Sequence, residues 1–271
     1  MGSDKVESFW QRVFSRPEPE VPQEPALDRC TSGHPAAGGA VPADRDAELD
    51  TGRLVQAAIE RKEFDAAAFA LVAKGRLGSA DVVGSRALAE GKYSQAIDIF
   101  TRTGNLEKLA LANELAGRDG LRRGGSRKTA MTRLFTAVQT YGSVLATGRG
   151  DRITIMKKII VLCDDLCSMF DESSDFLRAA DTALYAAHVC LRLASEPGVS
   201  AALAHEPDFF TRLGKKTTDL ALRARTAYKQ YVDAGGVSPE SPEGRKVVAR
   251  MQALQKVLAA VKQGLGTPEP R

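Results

Sequence analysis

Apolar residues recur at intervals of three and four along most of the chain from Leu49 onward, the spacing of an amphipathic α-helix. That region shows no strict alternation of apolar and polar residues of the kind expected for a half-buried strand. The pattern predicts helices at residues 50–60, 63–74, 79–90, 93–103, 105–117, 128–147, 151–171, 174–195, 207–233 and 243–264. Glycine or proline marks most of the intervening breaks, so we expect an all-α protein of antiparallel helix pairs.

The clearest local signal is the segment ADVVGSRALAEGKYSQAIDIF, residues 80–100. It combines small residues that let two helices approach closely, a turn glycine and two aromatics that fill a groove, at Gly84, Ala87, Gly91, Tyr93, Ala96 and Phe100. A weaker copy lies 29 residues earlier, at 53–71, and a third echo lies at 174–184.

This arrangement resembles the tetratricopeptide (TPR) repeat, whose helix pairs stack into a solenoid. The shift of 29 residues is shorter than the repeat length of about 34 that is usual in that family. The resemblance implies a short TPR-like solenoid that binds other proteins through a concave face and carries out no chemistry. An irregular, Ala-rich helical bundle is the alternative interpretation.

Four regions follow from these patterns. Residues 1–15 are predicted to form a short amphipathic recognition helix, and residues 16–48 a disordered acidic linker rich in Pro, Ala and Gly. Residues 49–206 are predicted to form the TPR-like helical array, and residues 207–271 a C-terminal helical hairpin. The hairpin either caps the array or pairs with a second copy through residues 207–265, forming a homodimer.

The N-terminal helix is the region most typical of a binding segment. Phe9, Trp10, Val13 and Phe14 lie on a short helix at residues 4–15, and aromatic residues are enriched at the centres of protein interfaces. Three hypotheses remain open for this segment: docking on a partner protein, docking on its own helical array, and peripheral contact with a membrane. We rank the partner protein first.

Charge is distributed unevenly along the chain. Residues 1–48 contain five Lys/Arg and nine Asp/Glu, a net charge of −4, whereas residues 211–271 contain twelve and five, a net charge of +7. A Gly-rich segment at residues 117–128 adds five cations that could bind an anion or phosphate: Arg118, Arg122, Arg123, Arg127 and Lys128. The alternative function is therefore a basic helical regulator that binds nucleic acid through residues 117–128 and 211–262.

Residues typical of catalysis or metal binding are sparse. Cys163, Cys167 and Cys190 fall in apolar helical stripes, and His188 is predicted to face elsewhere, so we expect buried thiols rather than a metal site. Nucleotide and nucleophile motifs do not occur. We predict a cytoplasmic, non-enzymatic adaptor or scaffold without a cofactor, in which the N-terminal helix docks one partner and the array another.

Overall fold

The computed structural model describes residues 44–263 except 149, 200–205, 207, 236 and 239, and the side chains of residues 44–51 are also left out. The predicted recognition helix and nearly all of the predicted linker lie outside these residues. Ten helices make up the described part: α1 (Asp44–Glu60), α2 (Phe64–Ala73), α3 (Leu77–Ala89), α4 (Tyr93–Thr103), α5 (Leu106–Arg122), α6 (Arg127–Thr147), α7 (Arg152–Glu172), α8 (Phe176–Ser195), α9 (Phe209–Asp233) and α10 (Pro242–Lys262). No strand occurs among these residues, so the predicted all-α class is confirmed.

Side-chain caps define where five of the helices begin. In each, an oxygen of the residue before the first turn accepts a hydrogen bond from the backbone N–H three residues on, at Asn105, Ser126, Asp151, Asp175 and Ser241. Gly104 and Gly148 end α4 and α6 with φ of 70° and 68°, a left-handed conformation that glycine adopts without strain. The helices on either side of these two breaks contact each other.

The described part divides into two compact units, one ending at Val83 and the other beginning at Gly84. In the first unit α1 packs against α2. Phe64, Ala67, Ala68 and Leu71 of α2 are all buried, and their spacing of three and four places them on one face of that helix.

Within the second unit the helices pack in chain order. Contacts run from α4 to α5, from α5 to α6, and onward through α7, α8 and α9 to α10. The C-terminal hairpin predicted from the sequence is formed by α9 and α10, and α10 also contacts α8. Packing of this kind, mainly between consecutive helices, is compatible with a helical repeat array.

Helix α8 lies between α7 and α9, and its composition explains how both neighbours approach it. Its fully buried positions include five alanines, at Ala179, Ala180, Ala183, Ala186 and Ala187. Alanine fills little volume and loses no side-chain entropy in a helix, so neighbouring backbones can come close on two sides. The Ala-rich sequence therefore allows α8 to pack against both α7 and α9.

Two predicted boundaries are wrong. The first helix is predicted to begin at residue 50, but α1 begins at Asp44. The sequence predicts a helix at residues 105–117 followed by a Gly-rich loop, but α5 continues to Arg122. An added Cβ at Gly117 would lie 2.8 Å from Leu134 Cγ on α6 and 3.2 Å from the Ala130 carbonyl oxygen. Gly117 thus serves the close approach of α5 and α6 rather than a break in the helix.

Candidate functional site: the α5–α7–α9 face

The outward face of α7 lies between side chains contributed by α5 and α9. Thr154, Val161 and Ser168 are exposed and separated by seven residues, which places them on one line along the helix. Val161 is 52% exposed at the centre of this line, on a helix whose other face is the core. We call this surface the α5–α7–α9 face.

On the α9 side, two cations reach across to the carboxylates of α7. Lys216 Nζ lies 2.8 Å from Asp164 Oδ2, and Arg223 lies 2.6 Å from Asp171 Oδ2 through one guanidinium nitrogen. The Arg223 guanidinium also donates to Asp171 through Nε at 2.9 Å and to Ser168 Oγ at 3.2 Å. Arg223 therefore makes several charge-assisted contacts from one planar group, which fixes its position.

On the α5 side, a chain of polar contacts crosses three helices. Arg118 pairs with Glu114 on its own helix and with Asp165 of α7, both at 3.2 Å. The buried Tyr141 of α6 donates to Glu114 Oε2 at 3.0 Å and accepts from Lys158 Nζ at 3.2 Å. Burial, with the neighbouring Glu114 charge, raises the pKa of Tyr141 well above its usual range, so the phenol stays protonated.

These contacts make the face ordered and nearly neutral. The carboxylates of α7 that the sequence places at its C-terminal half are paired across helices, not merely solvated. Val161 is not distinguishable in the sequence, because a lone valine within a helical pattern is typical of a core position. The arrangement suits recognition of another protein, where an apolar centre is surrounded by fixed polar groups.

The five cations predicted to bind phosphate do not form a free basic loop. The Asp119 carboxylate lies 2.5 Å from a terminal nitrogen of Arg122 and 2.8 Å from Nε of Arg123. Arg127 forms an ion pair with Glu172, which lowers the pKa of that carboxyl, and Arg118 is paired as described above. Lys128 is exposed in the first turn of α6. Local carboxylates therefore hold four of these five cations.

The three thiols of the described part are buried. Burial raises the pKa of Cys163 well above its usual value, that of Cys167 to about 12 and that of Cys190 to about 11. Thiols in this state are weak nucleophiles at neutral pH. His188 contacts the Leu184 carbonyl oxygen through Nδ1 at 2.9 Å, and burial lowers its pKa. Within the residues that the structure describes, no group of three or more His, Cys, Asp and Glu side chains could hold a metal ion.

The residues that carry the repeat resemblance meet at the contact of α3 and α4. Gly84, Ala87, Ala96 and Phe100 are buried, and a Cβ at Gly84 would lie 2.7 Å from Phe100 Cε1. Gly91 has φ of 71° in the turn between the helices, where an L side chain would be strained. Tyr93, by contrast, is only partly buried. The proposed partner-binding residues Phe9, Trp10, Val13 and Phe14 lie outside the described residues.

No known protein family matches the chain, and neither characterised proteins nor solved structures show significant similarity to it. Among the described helices, none combines the length and the apolar character needed to cross a membrane.

Proposed function

We propose that this chain is a non-enzymatic adaptor that binds one partner protein on the α5–α7–α9 face and another through the segment at residues 4–15. The observation that carries the proposal is the exposed Val161, 52% accessible, between an ion pair to α5 and several ion pairs to α9. Ordered polar rims exclude water from an apolar centre, which makes a small apolar side chain effective in binding.

A TPR-like organisation of the array is part of the same proposal. The close contact at Gly84 and the packing of helices in chain order support it. In such an array one helix of each pair contributes to a common face, and α5, α7 and α9 are alternate helices that share side-chain contacts. The bound segment would be a peptide or helix that lies across these three helices.

The test is affinity capture from native lysate with the full chain and two charge-introducing variants. Val161→Asp is expected to weaken capture of the partner of the α5–α7–α9 face by about tenfold or more. The reason is that the bound partner would bury the new carboxylate without an opposite charge. Val248→Asp on α10 is the matched control, since Val248 is 46% exposed and belongs to another surface. Equal capture by both variants would refute binding at this face, and a version lacking residues 1–16 separates the partner held by the N-terminal segment.

The alternative function, a basic regulator that binds nucleic acid, has less support than the adaptor function for residues 117–128. The cations of residues 117–128 are largely engaged with carboxylates of the same chain, so phosphate contacts there would have to replace existing ion pairs. A cytoplasmic location and the homodimer through residues 207–265 remain proposals that stand on the sequence alone.

A further inference from the structure

Helix α9 carries two rows of cations in different environments. Lys216 and Arg223 point toward α7 and are paired with its carboxylates. Lys215, Arg225 and Lys229 are exposed, and within the described part of the chain none of these three has a carboxylate within 4.0 Å. The sequence suggests cations spread around the helix, whereas the structure separates a neutralised inner row from an unpaired outer row.

The outer row belongs to a regular stripe. Steps of three and four connect its residues, which we call the α9 outer stripe: Lys215, Thr218, Leu222, Arg225, Lys229 and Val232. Leu222 is 46% exposed and Val232 is 40% exposed, whereas the buried residues of α9 lie on a different side. Lys215 and Lys229 each lie seven residues from Leu222, so one apolar side chain stands midway between two cations on one line of the helix.

The geometry points to a docking site for an acidic amphipathic helix of a partner protein, laid along the α9 outer stripe. Such a helix would place an apolar side chain against Leu222 and carboxylates two turns away on each side, opposite Lys215 and Lys229. Residues seven apart lie on one line of a helix, so a partner helix laid along that line would meet Lys215, Leu222 and Lys229 in turn. Cations at two of these three positions select a partner that carries carboxylates opposite them. Charge complementarity supplies the attraction, and Leu222 sets the register.

Other occupants fit this stripe less well. A second copy of the stripe would bring lysine opposite lysine in both the parallel and the antiparallel register, because Lys215 and Lys229 are symmetric about Leu222. Asp219 and Asp233 are exposed at the borders of the stripe. A partner helix can carry its carboxylates only opposite Lys215 and Lys229, whereas the continuous charge of a phosphate backbone or an anionic lipid surface would also meet both aspartates. No aromatic residue lies on the stripe to stack with a base.

This surface is separate from the α5–α7–α9 face, and the inference does not depend on the function proposed above. The inner row of α9 contributes to that face, and the outer stripe lies elsewhere on the same helix. A partner on each surface would give the adaptor two docking positions on one helix. Loss of one interaction would then leave the other intact.

The test uses the full chain and a fluorescently labelled three-heptad peptide that carries glutamate at the two positions flanking a central leucine. Binding is followed by fluorescence anisotropy at roughly 50 mM and roughly 150 mM salt. We expect Lys215→Glu with Lys229→Glu to weaken binding by about tenfold or more. A peptide with lysine in place of glutamate should regain affinity for that variant. Leu222→Ser is expected to weaken binding to a smaller extent.

The matched control is Lys246→Glu with Lys256→Glu on α10, which changes the net charge equally at two other exposed lysines. It should leave binding of the peptide unchanged, and circular dichroism melting checks that each variant folds. Equal loss in the control would overturn the proposal in favour of diffuse charge attraction. An unchanged peptide affinity in Leu222→Ser would also overturn it. Tighter binding of a single-stranded oligonucleotide or a phosphatidylserine vesicle through the same lysines would do so as well.

Discussion

Two glycines three residues apart in α5 differ in what surrounds them. A Cβ at Gly117 would lie 2.8 Å from Leu134 Cγ, whereas a Cβ at Gly120 would meet nothing within 4 Å. We therefore expect Gly120→Ala to raise the free energy of unfolding by about 0.5–1 kcal/mol, because alanine restricts the unfolded chain and favours helix. Gly117→Ala should lower it by about 1–3 kcal/mol through overpacking against α6.

Urea unfolding of the two variants measures both effects in one helix with the same chemical change. The comparison cancels the helix propensity of alanine, so the difference reports the contact with α6 alone. Stabilisation by Gly117→Ala of the same size as at Gly120 would mean that Leu134 can move aside. The close approach of α5 and α6 would then not depend on glycine.

At the residue scale, the sequence predicts which side chains are buried better than it predicts which charged side chains form ion pairs. Cys163, Cys167 and Cys190 lie in apolar stripes and are buried in the structure, because helical spacing alone determines which residues share a face. The pairing of Asp164 with Lys216 depends on which helices become neighbours, and residues 52 positions apart carry no local sign of it. The candidate site is therefore only partly predictable.

At the scale of the helices, hydrophobic periodicity located all ten, and eight of the ten predicted helices begin and end close to the observed positions. The start of α1 lies at Asp44 rather than at residue 50, and the end of α5 lies at Arg122 rather than at residue 117. In α5 the reason is that glycine has two physical roles that the sequence does not distinguish. Glycine at 104 and 148 ends a helix with positive φ, whereas glycine at 117 permits a close contact inside one. Only the presence of Leu134 on α6 separates the two cases.

Helix α10 is attached to the array by few buried side chains and one polar cluster. Tyr228 of α9 donates to Asp181 Oδ1 of α8 at 2.6 Å, and Arg250 of α10 lies 3.0 Å from Asp181 Oδ2. The side chains of Arg250 and Asp181 are only 12% and 16% exposed. Each of these nearly buried charges is therefore compensated by the other. The cluster joins three helices at one carboxylate.

Substitution of Arg250 should therefore lower the free energy of unfolding more than substitution of an exposed residue does. Arg250→Met is expected to lower the free energy of unfolding by about 3 kcal/mol at neutral pH, because Asp181 would be left charged and without its cation. Urea unfolding measures the loss, and Arg245→Met on the exposed side of α10 serves as the control. The double variant Arg250→Met with Asp181→Asn should recover most of the stability.

The loss should also depend on pH. Burial raises the pKa of Asp181 from 3.8, outweighing the hydrogen bond from Tyr228 and the charge of Arg250. Between that unfolded value and the raised one, the folded chain binds more protons than the unfolded chain, so the contribution of Asp181 falls as pH rises. Without Arg250 the pKa rises further, and the deficit of Arg250→Met should shrink as pH falls toward about 4. A deficit independent of pH would assign it to lost apolar contacts instead.

At the scale of the whole chain, charge is distributed unevenly. Salt dependence can therefore distinguish an adaptor from a nucleic-acid-binding protein. Residues 1–48 have a net charge of −4 and residues 211–271 a net charge of +7. Much of the cationic charge near α7 is neutralised within the chain, by Asp164, Asp165 and Asp171. Exposed cations are also present on the solvent side of α9 and α10, at Lys215, Lys229, Lys246 and Lys256. Salt should then affect binding differently at the different surfaces.

We consider the partner that binds the α5–α7–α9 face, identified by its loss in the Val161→Asp capture. Its affinity for the full chain should change by less than about tenfold between roughly 50 mM and roughly 200 mM salt. The reason is that cations on the α5–α7–α9 face are already paired within the protein, so binding there releases few counterions. Isothermal titration at several salt concentrations measures the slope. A single-stranded oligonucleotide should lose affinity steeply over the same range, because each phosphate contact releases a counterion. If the oligonucleotide instead bound the full chain more tightly than that partner at roughly 200 mM salt, the adaptor proposal would give way to nucleic-acid binding.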